Sequence, residues 1–219
     1  MTAQAKHATV YLGGRDFSAV SCGVEDGMRR FAFMQDGMEE TYQLRLLGSY
    51  QVENASIAVA AAKYLGIDNG SIARGLADVV WPCRLEILSQ SPTILLDGAH
   101  NLAGVTALRS SLDELFPNQK ILFLLGILQD KDVKGMAEVL VCACDDVVIT
   151  WPLSERAAPP EVVAQYIRAS HVETVERIED GIERVKALAD DDSVICIAGS
   201  FYLVGRAREV LVYVKENEN

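Results

Sequence analysis

The 219-residue chain has no C-x-x-C pair among its five cysteines (Cys22, Cys83, Cys142, Cys144, Cys196), no apolar run that approaches a membrane span, no internal repeat and no low-complexity segment. Each absence excludes something. An odd number of cysteines without paired spacing, several of them in apolar runs, reads as reduced thiols rather than a disulfide framework. Cys142 and Cys144 are two apart, which on a helix points them in different directions, so no metal site is assigned there or elsewhere. Basic residues are also scarce, with a formal net charge of −11. Of 20 basic and 31 acidic residues, 8 and 9 fall up to Arg84, leaving 12 and 22 after it. So acidic a surface repels phosphate backbones and excludes nucleic acid as a partner. The N-terminal "MTAQAKHATVY" has no apolar leader segment, so the expected location is the cytoplasm, with no membrane partner.

What is present is half hydrophobic, with 7% aromatic residues and a mean hydropathy of +0.14. That is the composition of a globular chain long enough to bury a full core. Residues 8–46 alternate short β-like runs with Gly-Gly, Glu-Asp-Gly and Gln-Asp-Gly punctuation, which predicts a small antiparallel sheet. "QVENASIAVAAAKYLG" then predicts a helix with Ala58, Ala61, Ala62 and Leu65 on one face, where another backbone could come close. "SIARGLADVV" predicts a second helix, capped by Ser71 and stopped by Pro82.

From Leu85 strands and helices alternate. "RLEILS" and "TILLDGA" flank a Gln-Ser-Pro turn and predict a hairpin. A helix over 102–116 follows, with Val105, Leu108, Leu112 and Leu115 at helical spacing. Then come "KILFLLG", a helix near 133–142, "DVVIT", a helix opened by Pro159-Pro160, "HVETV", a helix through Ile182 and Val185, "SVICIAG" and a last helix from Phe201 to about Lys215. Continuous apolar strands between amphipathic helices predict an α/β fold with a mostly parallel, doubly wound sheet. The domain reading is 1–84 for the small sheet with its two helices and 85–219 for the α/β domain.

In such sheets ligands bind at the carboxyl ends of the strands, where helix N-termini offer free N–H groups. Asp97 and His100, residues 126–132 ("GILQDKD"), 150–156 ("TWPLSER") and Gly199-Ser200 all fall at such ends, which predicts one shared site. Singly, each has an ordinary structural reading. An Asp near a helix start usually caps it, a lone His is usually structural, and Ser before a helix is a common N-cap.

Their joint order is less ordinary. "GSYQVENASIAVAAAKYLG", "WPCRLE", "LLDGAHN", "LLGILQDKD" and "IAGSFYLVG" follow one another over nearly the whole chain. This series resembles the second half of the folylpolyglutamate synthase family, Mur-ligase relatives that add glutamate to folates. Cell-wall Mur ligases share that fold but usually differ at "DGAHN". The resemblance implies that Asn54, Arg84 and Asp97 contact ATP, Arg84 through its phosphates, and that His100 and Ser200 line the incoming glutamate. Arg84 and His100 are thereby the catalytic candidates. Lys131 lies in the family's "DKD" loop without an assigned role. One position departs from the pattern: Cys83 stands where the family has Gly in "WPGR". A Cys is expected at negative φ, and if the Gly is needed for positive φ the aim of Arg84 changes.

The implied reaction activates a folate or dihydropteroate carboxylate with ATP as an acyl phosphate, which the amine of L-glutamate attacks. A guanidinium suits developing phosphate charge, and donors that orient glutamate act by placement. The family also uses G-x-x-x-x-G-K-[ST] for the phosphates and holds Mg²⁺ beside it, yet no Gly-Lys dipeptide occurs here. The chain is therefore expected to be the C-terminal part of a longer enzyme, monomeric when whole and inactive alone. Dihydrofolate synthase activity beside the first stays open. So do two alternatives: a non-catalytic binding module of the same fold, and another Mur-type amide ligase.

Overall fold

In the computed structural model, residues 6 and 8–217 are described. Residues 1–5 and 7, most of the segment considered above for a leader, lie outside the described residues. The chain divides into two units, Met1–Val80 and Trp81–Asn219, so Arg84 belongs to the second.

In the first unit β1 (Phe17–Glu25), β2 (Met28–Gln35) and β3 (Met38–Leu44) form an antiparallel sheet in the order β1-β2-β3. Both hairpins turn on an Asp-Gly pair, Asp26-Gly27 and Asp36-Gly37, with positive φ at all four residues. That backbone twist suits tight antiparallel turns. Phe31, Phe33, Tyr42 and Leu44 pack with Val52, Ala55 and Val59 of α1 (Gln51–Tyr64) and Ile72 of α2 (Asn69–Asp78).

One local expectation is corrected here, the Ser71 cap of α2. The buried face of α1 is Val52, Ala55, Ser56, Val59 and Ala60, while Ala58, Ala61 and Leu65 are exposed. Small apolar residues surround this helix on all sides, so their spacing carries no direction. The cap of α2 is Asp68, whose carboxylate accepts the Ser71 N–H and hydroxyl. Ser71 is already inside the helix, which ends at Asp78, before Pro82.

The second unit is a six-stranded sheet in the order β4-β5-β9-β6-β7-β8: β4 (Glu86–Gln90), β5 (Thr93–Leu96), β6 (Ile121–Leu125), β7 (Asp146–Thr150), β8 (His171–Val175) and β9 (Val194–Ala198). Only the β4–β5 hairpin is antiparallel. Between the strands run α3 (Leu102–Leu115), α4 (Val133–Leu140), α5 (Pro160–Ala164) and α6 (Ile178–Leu188), and α7 (Phe201–Asn217) follows β9. Leu96, Leu124, Val148 and Ile197 point to one face, where α6 and α7 supply Ile182, Val185, Leu203 and Val204. Leu95, Phe123, Val147 and Cys196, one step out of phase, are fully buried as well. Both faces are therefore covered, as a parallel sheet requires.

Candidate active site

The carboxyl ends of the neighbouring strands β5, β9, β6 and β7 are stitched together by backbone hydrogen bonds. Gly199 N–H donates to the Ala99 carbonyl at 3.1 Å, Gly126 N–H to that of Ala198 at 3.3 Å, and Ala158 N–H to that of Ile127 at 2.9 Å. Gly199 has φ +109°, and a Cβ there would lie 2.9 Å from the Gly126 carbonyl oxygen. Only glycine lets the loops after β9 and β6 approach this closely.

Asp97 ends β5 and is 2% exposed. Its carboxylate accepts the Leu85 N–H at 3.0 Å and the Ala99 N–H at 2.8 Å. A capping role for Asp97 on α3 is corrected: the cap is Asn101, whose side chain accepts the Gly104 N–H at 2.8 Å. Asp97 instead latches the loop that carries Arg84. A second latch is the Gly98 N–H donating to the Cys83 carbonyl at 2.8 Å. A third is the Cys83 N–H donating to Glu86 at 2.8 Å, and Glu86 in turn holds the Arg208 guanidinium with both oxygens.

These latches overturn the expectation for Cys83, which has φ +60°; Leu85 follows at +47°. Hydrogen bonds on both sides of Cys83 set its backbone, and the residue type yields to them. The Cys83 thiol is pushed up from its ordinary range, chiefly by burial and next by the Glu86 carboxylate. It is a packed side chain rather than a ready nucleophile.

Arg84 emerges from this loop with its guanidinium carbon 5.4 Å from the centroid of the Phe201 ring. His100 meets the same ring at a centroid distance of 4.8 Å. Its Nδ1 is 2.9 Å from the Gly98 carbonyl oxygen. A carbonyl can only accept, so Nδ1 carries the proton and Nε2 of the neutral ring is left as an acceptor. Ser200 is fully buried, and its hydroxyl oxygen accepts the Leu203 N–H at 3.2 Å as the first turn of α7 begins.

The structure therefore brings Arg84, Asp97, His100 and Ser200 to one edge. Asn54 lies in the first unit, on the exposed side of α1, where its side-chain amide donates to Gln51 at 3.0 Å. Lys131 pairs with Asp130 at 3.6 Å, and Arg156 reaches the same carboxylate oxygen at 3.1 Å. Thr150 Oγ1, at the end of β7, is buried without a hydrogen-bond partner. Sequence reasoning missed Phe201. The signal was the coincidence of a glycine in "DGAHN" with an aromatic after "GS": a Cβ on Gly98 would collide with the Phe201 ring.

Among the described residues no group of three or more His, Cys, Asp or Glu side chains gathers to hold a metal ion. No helix among the described residues is long and apolar enough to cross a membrane.

The architecture is that of known ligases. The chain is 33% identical over 208 residues to the folylpolyglutamate synthase of Lacticaseibacillus casei, covering 90% of this chain and 47% of that protein. It is 32% identical over 196 residues to the dihydrofolate synthase/folylpolyglutamate synthase of Mycobacterium tuberculosis, covering 78% of this chain and 40% of the relative. A solved structure of Mycobacterium tuberculosis folylpolyglutamate synthase complexed with ADP superposes with a TM-score of 0.86 at 29% identity, over 95% of this chain and 50% of that one. The chain thus spans half or less of the length of these relatives. A family model described as Mur ligase, glutamate ligase domain, matches residues 83–201, more than half of the sequence and all of the edge just described. The chain belongs to the Mur ligase family, and residues 83–201 are its glutamate ligase domain.

Proposed function

We propose that this chain is the glutamate-receiving part of an ATP-dependent ligase that adds L-glutamate to the γ-carboxylate of folates, working in the cytoplasm with ATP, Mg²⁺ and a folate or dihydropteroate acceptor. One observation carries the reading. Arg84 has no carboxylate partner among the described residues, although its unit holds an excess of acids. A lone guanidinium on a triply latched loop at the carboxyl edge of a parallel sheet suits an anion that arrives with the substrate. The related folylpolyglutamate synthase of Mycobacterium tuberculosis binds ADP, and that supports nucleotide as the anion.

In this reading ATP supplies the phosphoryl group, and the acid becomes an acyl phosphate with release of ADP. Arg84 neutralises charge building on the transferred oxygens. The amine of glutamate then attacks the acyl carbon and phosphate leaves. His100 Nε2 accepts from the ammonium group of glutamate, and the α7 N-terminus beside Ser200 favours its carboxylates. Asp97 works through the backbone of the Arg84 loop, and Asn54 is assigned to the nucleotide.

The test has two arms. Titration calorimetry of the purified chain with L-glutamate should give a millimolar or weaker Kd, on the order of 4 kcal/mol, weakened further in His100→Ala. Incubation with ATP, Mg²⁺, a reduced folate and glutamate should release no phosphate, since the chain contains no Gly-Lys dipeptide for a phosphate-cradling loop. Glutamate binding indifferent to His100→Ala would sink the assignment of the edge. Turnover by the chain alone would sink the assignment of the phosphate chemistry to residues outside it.

A further inference from the structure

We propose that Phe201 is a positioning residue whose ring, seated over Gly98, holds the Arg84 guanidinium and the His100 imidazole in one fixed arrangement. The inference rests on the reading of Arg84 as an anion-binding group. It goes beyond that reading by naming what aims the side chain.

The backbone of the Arg84 loop is fixed by three hydrogen bonds, to Asp97, Gly98 and Glu86. None of them reaches past Cβ of Arg84. An arginine side chain has many rotamers, and an unpaired one on a rigid loop would still sample a wide volume. Among the described residues, what restrains the guanidinium is the Phe201 face at 5.4 Å, inside the range for a cation–π contact.

The ring needs its own support, because Phe201 is 47% exposed and opens α7. That support comes from two sides. Gly98 offers a bare Cα on which the ring lies, where any Cβ would collide. His100, tied by Nδ1 to the Gly98 carbonyl, meets the ring at 4.8 Å with an interplanar angle of 43°. About two turns further along α7, Arg208 holds Glu86 and, through it, the N–H of Cys83. The same helix therefore fixes both the base of the Arg84 loop and the tip of its side chain. An exposed aromatic with these neighbours has a reason for its exposure: its ring holds the Arg84 guanidinium at the surface, where an arriving anion can reach it.

The experiment compares Phe201→Ala, Phe201→Tyr and Gly98→Ala in this chain, with thermal unfolding as the control for folding. The first readout is NMR of the Arg84 Nε–H and the His100 ring protons, which a stacked aromatic shifts upfield. Phe201→Ala should move both sets toward random-coil positions, Phe201→Tyr should keep them, and Gly98→Ala should disturb them with the ring still present. The second readout is calorimetric affinity for inorganic triphosphate. Phe201→Ala should lower it about tenfold, Phe201→Tyr should restore it, and adding Arg84→Ala to Phe201→Ala should change it by less than twofold. Additive losses in the double variant, or unshifted Arg84 and His100 resonances in Phe201→Ala, would overturn the proposal. Failure of the wild-type chain to bind triphosphate would count against Arg84 as the anion site, while the resonances would still decide whether Phe201 aims it.

Discussion

The Asp97 carboxylate accepts the backbone N–H of Leu85 across a sequence separation of twelve residues, inside a site only 2% exposed. Its other oxygen takes the Ala99 N–H, so one acid fixes both loops that flank Arg84.

Asp97→Ala should therefore destabilise the second unit by about 2–6 kcal/mol, because two buried donors lose their acceptor at roughly 1–3 kcal/mol each. Asp97→Asn keeps one carbonyl acceptor and should lose about half as much. Urea unfolding of the three proteins gives the ranking, and equal stability of Asp97→Ala and wild type would show the latch to be idle.

Cys83 and Leu85 share a left-handed backbone but should respond oppositely to glycine. At Cys83 the relief of positive φ is worth about 1 kcal/mol, and a half-buried thiol contributes little packing, so Cys83→Gly should raise Tm by about 2–4 °C. Leu85 is 4% exposed; removing its side chain forfeits about 2–5 kcal/mol of core, so Leu85→Gly should lower Tm despite the same relief. A fall in Tm for Cys83→Gly would mean that the thiol packs better than its surroundings suggest.

In the first unit Glu40 lies below the usual carboxylate range, held there first by its bond to Lys63 and next by the Tyr42 hydroxyl, which donates to it. A depressed folded value contributes stability that is complete above the ordinary value of 4.5 and is lost as pH falls through the folded value. Glu40→Gln should be less stable at neutral pH and should lose less on acidification. Denaturant midpoints at pH 7 and pH 3 for both proteins test this; parallel losses would show that Glu40 titrates alike folded and unfolded.

Thr150→Val removes a buried hydroxyl that has no partner and keeps the shape, so it should add about 1 kcal/mol of stability. The same variant measured for glutamate affinity distinguishes a mere orphan from a ligand contact: unchanged affinity leaves it an orphan, and weaker binding places Thr150 against the ligand.

The strand–helix alternation from Leu85 onward was readable because each strand is a short apolar run closed by Gly, Pro or acid, and the helices between them repeat at helical spacing. Which strand lies beside which was not readable, since β9 pairs with β5 and β6 through contacts far apart in the chain. For the site, Asp97, His100 and Ser200 could be gathered from their places at strand ends, whereas Arg84, which precedes β4, came only from the family resemblance. The φ of Cys83 could not be read, because residue type argues for the opposite sign and the deciding hydrogen bonds come from Gly98 and Glu86. Phe201 was hidden for the same reason: its partner Gly98 precedes it by about a hundred residues.

The position of β9 has a consequence for synthesis. The strand made last lies between β5 and β6, in the middle of the sheet, so a ribosome delivers the two flanks long before the piece that joins them. Until Val194–Ala198 emerges, β5 and β6 present open edges of the kind that invite pairing with other chains. The cluster around Arg84 cannot assemble earlier either, since Phe201 follows β9. A nascent chain stalled before residue 194 should thus be the aggregation-prone species of this protein, and a holdase that covers strand edges its most useful companion.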